Sequence, residues 1–366
     1  MKTDILVGSE RFWARLKQDI ADARQSVRIQ AMTFEADSVG LDVYDALAQS
    51  PAPAKHLCVD HFSNFVISDS FIHGPRRLFD RGFCREVQRT KQIFRDASKR
   101  GIDLTFTNPL GPLFYKYPHR NHKKLMLIDN DVAYIGGINF SEHNFEWHDM
   151  MLRIECPDVA GFLQSDFDQT VSGQNQSRKM CFGDMDLYCL NGAASHALYE
   201  DIFSVIRAAT KSIQIVSPYI TAPFLDVIGQ QALAGVSVKI ISPAANNKSL
   251  LKHYLQHQRA KYPFEILMYE GAMSHLKAIL VDDDILMLGS TNFDFASYFL
   301  EQEYCAVIRH ADTVAQFKTK VLNDALAASV PYRPDGRHLS QLRSRVILGI
   351  AIQYCKFVSR RIYKAA

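Results

Sequence analysis

Apolar residues recur along the chain at two spacings. Phe12, Leu16 and Ile20 lie four apart, and Ile202, Phe203 and Ile206 repeat that stripe later, so each predicts an amphipathic helix. Between such segments stand short apolar runs: "LMLI" at 125–128, "VSVKIIS" at 236–242 and "KAILVD" at 277–282. Their length and β-branched content predict buried strands. Helical and strand patterns alternate, which is the mark of an α/β fold with sheets covered by helices. Near the end of the chain, Val346, Ile347, Ile350, Tyr354, Phe357, Val358 and Ile362 fall close to i, i+3, i+4, i+7 spacing. Arg343, Arg345, Lys356, Arg360, Arg361 and Lys364 flank them, so the segment predicts a basic amphipathic helix.

The pattern occurs twice. "HRNHKKLMLIDNDVAYIGGINF" (119–140) is repeated nearly step for step by "HLKAILVDDDILMLGSTNF" (275–293). His122, Lys124 and Asp129 match His275, Lys277 and Asp282 with identical spacing, and Asn139 and Asn292 each lie 17 residues beyond the histidine. Further on, "EWHDMMLRI" carries Asp149 and "EQEYCAVI" carries Glu303, one residue out of register. Upstream, "ARQSVRIQAMTF" (23–34) pairs with "ATKSIQIVSPYI" (209–220). Each half reads as helix, strand, helix, strand and then the His-Lys strand with its partner. Two similar halves imply a pseudo-twofold arrangement of mixed sheets flanked by helices, with one active site at the interface. The domain boundaries expected are 1–175, 176–330 and a basic tail, 331–366.

Residues i and i+2 of a strand share a face, so His122 and Lys124 project together, as do His275 and Lys277. If the halves meet about their axis, two imidazoles and two ammoniums converge on one small volume that attracts a phosphate. The lysines would neutralise the non-bridging oxygens through charge-assisted hydrogen bonds. One neutral imidazole can attack phosphorus while the other, protonated, protonates the leaving alkoxide, which gives a covalent intermediate resolved in a second step. By repeat position, Asp149 and Glu303 are best placed to orient the rings. Asn139, Asn292 and the amides of "GGIN" and "GSTN" would supply further donors to phosphate. Asp129 and Asp282 belong to the motif, yet they stand at strand ends before turns, where Asp also serves by binding backbone amides. Both roles stay open.

The doubled HxKxxxxD followed by GGxN or GSxN resembles the phospholipase D superfamily, and "RNHKKLMLID" with "YIGGINFSEHN" is most similar to its bacterial cardiolipin synthase branch. The resemblance covers roughly residues 9 to 310. It implies one metal-independent site built from both motifs, with no cofactor, in which His122 forms a phosphohistidine and His275 acts as general acid and then base. It also implies Lys124, Lys277, Asn139 and Asn292 as phosphate ligands. Ser290 in place of the second glycine, and Phe295 or Ala296 in place of a basic residue, depart from the usual pattern. The activity implied is transfer of a phosphatidyl group to another phospholipid or an alcohol. Hydrolysis, or cleavage of a nucleic acid, is the alternative within the superfamily. A non-catalytic membrane scaffold is the alternative outside it, and two intact motifs argue against that.

Bulk properties sharpen this reading. The net charge is +3, too small to mark a nucleic-acid binder, so nucleic acid is not the expected partner. Seven cysteines without close pairing read as reduced thiols in a cytoplasmic setting. The N-terminal stretch lacks a signal-peptide apolar core, and "VILGIAI" is too short to span a bilayer. The tail holds eight Arg or Lys against one Asp, which predicts peripheral attachment to an anionic membrane, on its inner face. Segment 61–96 has no counterpart in the second half. With Arg76, Arg77 and Arg81 it either lines the site mouth or forms a surface helix pair, and "PLGPLFYKYPHR" has a composition suited to the bilayer interface. His56, His61, His73 and His253 read as structural, while His119 and His148 are rim candidates.

Overall fold

Phe12, Leu16 and Ile20 form the buried stripe of helix α1 (Ser9–Asp22), which follows a first strand, β1 (Lys2–Val7). The computed structural model describes residues 1–74, 77, 79–333 and 338–363, of which His338 is described by its backbone alone. The chain divides into two units, Met1–Gln176 and Ser177–Ala366. The basic tail belongs to the second unit rather than standing apart.

In the first unit, β2 (Ser26–Ala31), α2 (Ser38–Gln49) and β3 (Ala54–Asp60) lead to a small hairpin, β4 (Val66–Ile67) and β5 (Ser70–Phe71). Helix α3 (Arg81–Asp96) and strand β6 (Asp103–Thr107) follow. The motif strand β7 (Leu125–Ile128) then pairs with β8 (Val132–Gly136), and a short helix α4 (Glu142–Phe145) precedes β9 (Met150–Glu155) and α5 (Pro157–Val171). The seven strands form one mixed sheet in the order β1-β9-β8-β7-β2-β3-β6. Strands β2, β3 and β6 run parallel, and β7 turns antiparallel against β2. All four residues of β7 are buried, as an apolar run covered on both faces requires.

The second unit opens with β10 (Arg178–Phe182), β11 (Met185–Asn191), α6 (His196–Arg207) and β12 (Ser212–Val216). It continues through α7 (Phe224–Leu233), β13 (Ser237–Pro243), α8 (Ser249–Gln258) and β14 (Glu265–Tyr269). The second motif strand, β15 (Ala278–Val281), pairs with β16 (Ile285–Gly289), followed by α9 (Phe295–Phe299) and β17 (Gln302–Ile308). Helices α10 (Ala311–Phe317) and α11 (Asn323–Ala327), strand β18 (Ser329–Pro331) and the long α12 (His338–Tyr363) complete it. Its sheet contains the order β11-β17-β16-β15-β12-β13-β14, the same succession as in the first unit, with β10 and β18 added at the edges. Even the isolated bridge Phe34–Phe140 has its counterpart in Ile220–Phe293. The repeat read from sequence is a repeat of topology.

Helix α12 packs against α8 and α9. Its inner face buries Leu348, Cys355 and Val358, of which Cys355 and Val358 join Leu300, Phe295 and Phe299. The residues expected to form one apolar stripe therefore divide. Val358 and Ile362 pack inward, whereas Val346, Ile350, Tyr354 and Phe357 face out beside exposed Arg343, Arg345, Arg360 and Arg361. Lys364 lies outside the described residues.

Candidate active site

The polar residues of "RNHKK" point in alternating directions, and each set has a definite destination. Arg120 pairs with Asp60 at the end of β3 and donates to the Lys116 carbonyl at 3.0 Å. The Asn121 amide donates to Asp60 Oδ2 at 2.6 Å, while its side chain accepts from Gln30 at 3.0 Å and donates to Thr107 Oγ1 at 3.1 Å. Lys123 donates to Asp166 Oδ2 of α5 at 2.6 Å and to Thr170 at 3.3 Å. Burial pushes the Asp60 carboxyl up to about 6 against the pull of Arg120 and two backbone amides, so it stays ionised at neutral pH. With 121 and 123 committed to the interior, His122 and Lys124 alternate to the opposite side, both buried. They precede β7 rather than lie within it. Lys124 Nζ folds back to donate to the His122 carbonyl at 2.8 Å.

The "GGIN" turn completes this half-site. A Cβ at Gly136 would meet the Met150 carbonyl at 2.4 Å, and one at Gly137 would meet the Asp149 carboxylate at 2.4 Å. Glycine there is what lets Asp149 lie directly against the turn, where it also accepts from the Met150 amide at 2.8 Å. Asn139 is buried, and its side-chain oxygen has no hydrogen-bond partner among the described residues.

The second half-site repeats the motif in different surroundings. Lys277 Nζ donates to the His275 carbonyl at 2.7 Å and lies 3.0 Å from both nitrogens of the His275 ring. Tyr219 meets that ring edge to face, at 5.9 Å between centroids. Asn292 is buried with its side-chain oxygen unpartnered among the described residues, as at Asn139. Ser290, the residue in place of glycine, donates its hydroxyl to Glu303, and Ser297 donates to the other Glu303 oxygen at 2.8 Å. The longer acid and the hydroxyl thus occupy the volume that Gly137 and Asp149 share in the first half. Asp294 caps α9 through the amides of Ala296 and Ser297, both at 3.0 Å. Burial raises its carboxyl, while Lys248 and Lys277 pull it down.

The motif aspartates go elsewhere. Asp129 follows β7 at the end away from His122, seven residues on in sequence and beyond the full length of the strand, roughly 13 Å. It accepts from the amides of Arg24, Gln25 and Ser26 at 2.7 to 3.1 Å. Asp282 does the same for Thr210, Lys211 and Ser212 at 2.7 to 2.9 Å. Both adopt a left-handed backbone, φ 51° and 50°, and both carboxyls lie below their ordinary value because these amides outweigh the effect of burial. These carboxylates fasten the motif hairpin to the starts of β2 and β12, the backbone-binding role that the sequence had left open for Asp129 and Asp282.

The sequence model of the family described as "Cardiolipin synthase, PLD-like domain" matches residues 16–171 and 202–325, most of the chain and once in each unit. The chain belongs to this family. Among its relatives, "Cardiolipin synthase 1" of Staphylococcus epidermidis is 22% identical over 344 residues, 87% of this chain and 66% of that protein. "Cardiolipin synthase 1" of Bacillus cereus is 24% identical over 350 residues, 86% and 65% of the two chains. The chain thus spans about two thirds of the length of these relatives. A phosphatidylserine synthase of Haemophilus influenzae shares the fold, with a TM-score of 0.73 at 14% identity over 98% of this chain and 94% of that one. A polyphosphate kinase of Porphyromonas gingivalis shares it at a TM-score of 0.60 and 12% identity, over 90% and 48%.

Several contributors escaped the sequence reading. Asp60, Asp166 and Gln30 are far along the chain from the motif they hold, and only the run of polar residues around His122 hinted that partners were needed. His119 is held neutral, its ring pushed down to about 3 by burial and by the charges of Arg120 and Lys116. Among its described residues, segment 61–96 holds a 3-10 turn (His61–Asn64), the hairpin β4–β5 and the one α-helix α3 rather than a helix pair; Arg76 lies outside the described residues. Glu35, Asp37 and Glu86 bring carboxylate oxygens within 4.8 Å of one another. Burial pushes Glu35 up to about 8, so at neutral pH a proton on Glu35 relieves their repulsion.

Proposed function

We propose that the protein is a phosphatidyltransferase in which the two half-sites act on a single phosphodiester. The observation that carries this is their equivalence. Each holds a buried His-Lys pair with the ammonium folded back on the histidine carbonyl, and each holds a buried asparagine whose side-chain oxygen has no partner among the described residues. In the first step the His122 imidazole attacks phosphorus, the P–O bond to the leaving alcohol breaks, and protonated His275 delivers its proton to that oxygen. In the second step His275 takes the proton of an acceptor hydroxyl, whose oxygen displaces His122 from phosphorus. Lys124 and Lys277 offset the charge on the non-bridging oxygens, and Asp149 and Glu303 orient the rings. The acceptor is glycerol, phosphatidylglycerol or a similar alcohol.

Mass spectrometry of lipids from a strain expressing the protein tests this reading. A new phosphatidyl product should appear, and His122→Ala and His275→Ala should each abolish it, with the double variant little worse than either. Additive partial losses would mean two independent sites. Cleavage of single-stranded DNA with no lipid turnover would replace the reading with a nuclease.

Membrane attachment through α12 forms part of the same proposal. Among the described residues no helix is long and apolar enough to cross a membrane. The outer face of α12 nevertheless exposes Ile350 by 66% and Phe357 by 53% beside four arginines. Each basic residue near an anionic surface is worth about 1 kcal/mol, so this face supplies several kcal/mol of reversible, salt-sensitive attachment, expected at the inner leaflet. Ile350→Asp with Phe357→Asp should weaken co-sedimentation with phosphatidylglycerol vesicles. Equal binding would remove α12 from the account.

A further inference from the structure

The first unit carries exposed apolar surface of its own, on segments that the repeat does not explain. The turn that precedes the first motif holds Leu113 and Phe114 in left-handed backbone, φ 51° and 58°, a conformation that branched and aromatic residues rarely adopt. Leu113 is 98% exposed there. Nothing in the core requires this side chain, and the strained backbone is what aims it at solvent.

Around this tip lies an aromatic collar. Phe114 meets Phe65 edge to face at 5.4 Å, and Tyr117 stacks on Phe71 at 5.8 Å and touches Phe62 at 5.8 Å. The hairpin β4–β5 that carries Phe71 is anchored through Ile67 and Ile72 to Phe83 of α3. Just before α3, Phe79 is 89% exposed. Helix α3 then presents Arg81, Arg85 and Arg89 to solvent at i, i+4 and i+8. The first unit therefore exposes an apolar tip with an aromatic layer around it, and the helix that anchors this layer carries a basic stripe.

We infer that this surface inserts into the interfacial layer of an anionic bilayer. The composition fits a membrane rather than a protein partner. The apolar groups sit on a turn and a hairpin that pack on each other, with Leu113 at the tip almost wholly exposed. Tyr and Phe with Lys116 match the headgroup region, and the α3 arginines complement anionic lipid. The attachment also reaches the catalytic motif. The Lys116 carbonyl accepts from Arg120 at 3.0 Å, and Arg120 is two residues from His122 and locked to Asp60. Insertion of the tip thus fixes the segment that positions His122, so docking and site geometry are linked. This linkage rests on the transfer reading above, whereas the insertion itself does not.

The test uses the full chain and vesicles of phosphatidylglycerol and phosphatidylcholine. Leu113→Asp with Phe114→Asp should weaken vesicle binding at least ten-fold, with the melting temperature lowered only by the loss of the Phe114–Phe65 contact. Leu113→Gly should raise the melting temperature, because glycine accepts the left-handed backbone, and yet weaken binding; a purely structural role would move the two together. In Phe114→Trp, brominated lipid should quench fluorescence beyond the level of the parent, whose tryptophans are Trp13 and Trp147. Binding within two-fold of the parent in the double variant, or an unquenched Trp at 114, overturns the proposal. A chain that inserts but produces no phosphatidyl product leaves insertion standing and removes the transfer reading. For an active enzyme, the double variant should lose turnover on vesicles and keep it on detergent-dispersed lipid.

Discussion

The two motif segments present the same face to chemistry and rest on opposite kinds of support. Behind His122 stand Gln30, Asp60, Arg120, Asn121 and Lys123, joined by ion pairs and hydrogen bonds. By strand register and repeat position, the corresponding residues behind His275 are Val216, Pro243, Met273, Ser274 and Leu276. Ion pairs buried this deeply are directional and exacting. They hold one geometry, and losing one partner leaves a charge stranded. Apolar contacts are forgiving, and a change of volume is absorbed by neighbours. The histidine assigned as nucleophile is thus on the rigid bed, and the one assigned to proton transfer is on the compliant bed. A nucleophile must meet phosphorus within a few tenths of an ångström, whereas a proton carrier serves two successive oxygens.

The strongest way to break this contrast is to strand one charge. Asp166→Ala leaves the Lys123 ammonium buried without its carboxylate and should destabilise the protein by about 3 to 5 kcal/mol in denaturant unfolding. Lys123→Leu combined with Asp166→Leu, which gives the first half an apolar bed, should recover most of that loss. A double variant as unstable as the single would show that the ion pair is more than a substitute for packing.

Exchanging the turn residues should have smaller effects. Gly137→Ser drives a Cβ into the Asp149 carboxylate and should cost about 2 kcal/mol and depress turnover. A neutral result would mean that Asp149 is free to move aside. Conversion of either motif aspartate to Asn should cost about 1 to 2 kcal/mol after allowance for solvent screening, with similar values in the two halves. Because the folded carboxyls lie below the unfolded value of about 3.9, their stabilisation is present above that pH and is lost as pH falls through the lower folded value. The Asn variants should therefore show less acid-induced loss of melting temperature than the parent, and a parallel acid limb would contradict the assignment. Ser290→Gly, which removes one hydroxyl from Glu303, should show the smallest change, about 1 kcal/mol.

How much was legible in the sequence follows from the range of each interaction. The repeat, the His-Lys faces and the asparagine turns were readable because they depend on spacings of two to seventeen residues. The function of Asp129 and Asp282 was not, since spacing places a carboxylate at a strand end without saying which amides from another strand arrive there. Arg120 and Lys123 were visible but their partners were not; Asp60 and Asp166 come together with them only once β3 and α5 are in place. For α12 the periodicity was correct and the division of faces was missed. Leu348 and Cys355 were passed over, and nothing in the helix itself distinguishes the side met by α8 and α9 from the side left outside.

Each sheet is closed upon its own unit: every ladder partner of β1 to β9 lies before residue 177, and every partner of β10 to β18 lies after it. After a gene duplication, such an arrangement lets each copy accumulate substitutions in its interior with no compensating change demanded along a shared ladder. The ionic and the apolar beds are the outcome such independence permits. The same closure offers a place to cut. A break introduced at 176–177 severs no strand pairing, so each separately encoded fragment should keep every ladder of its own sheet.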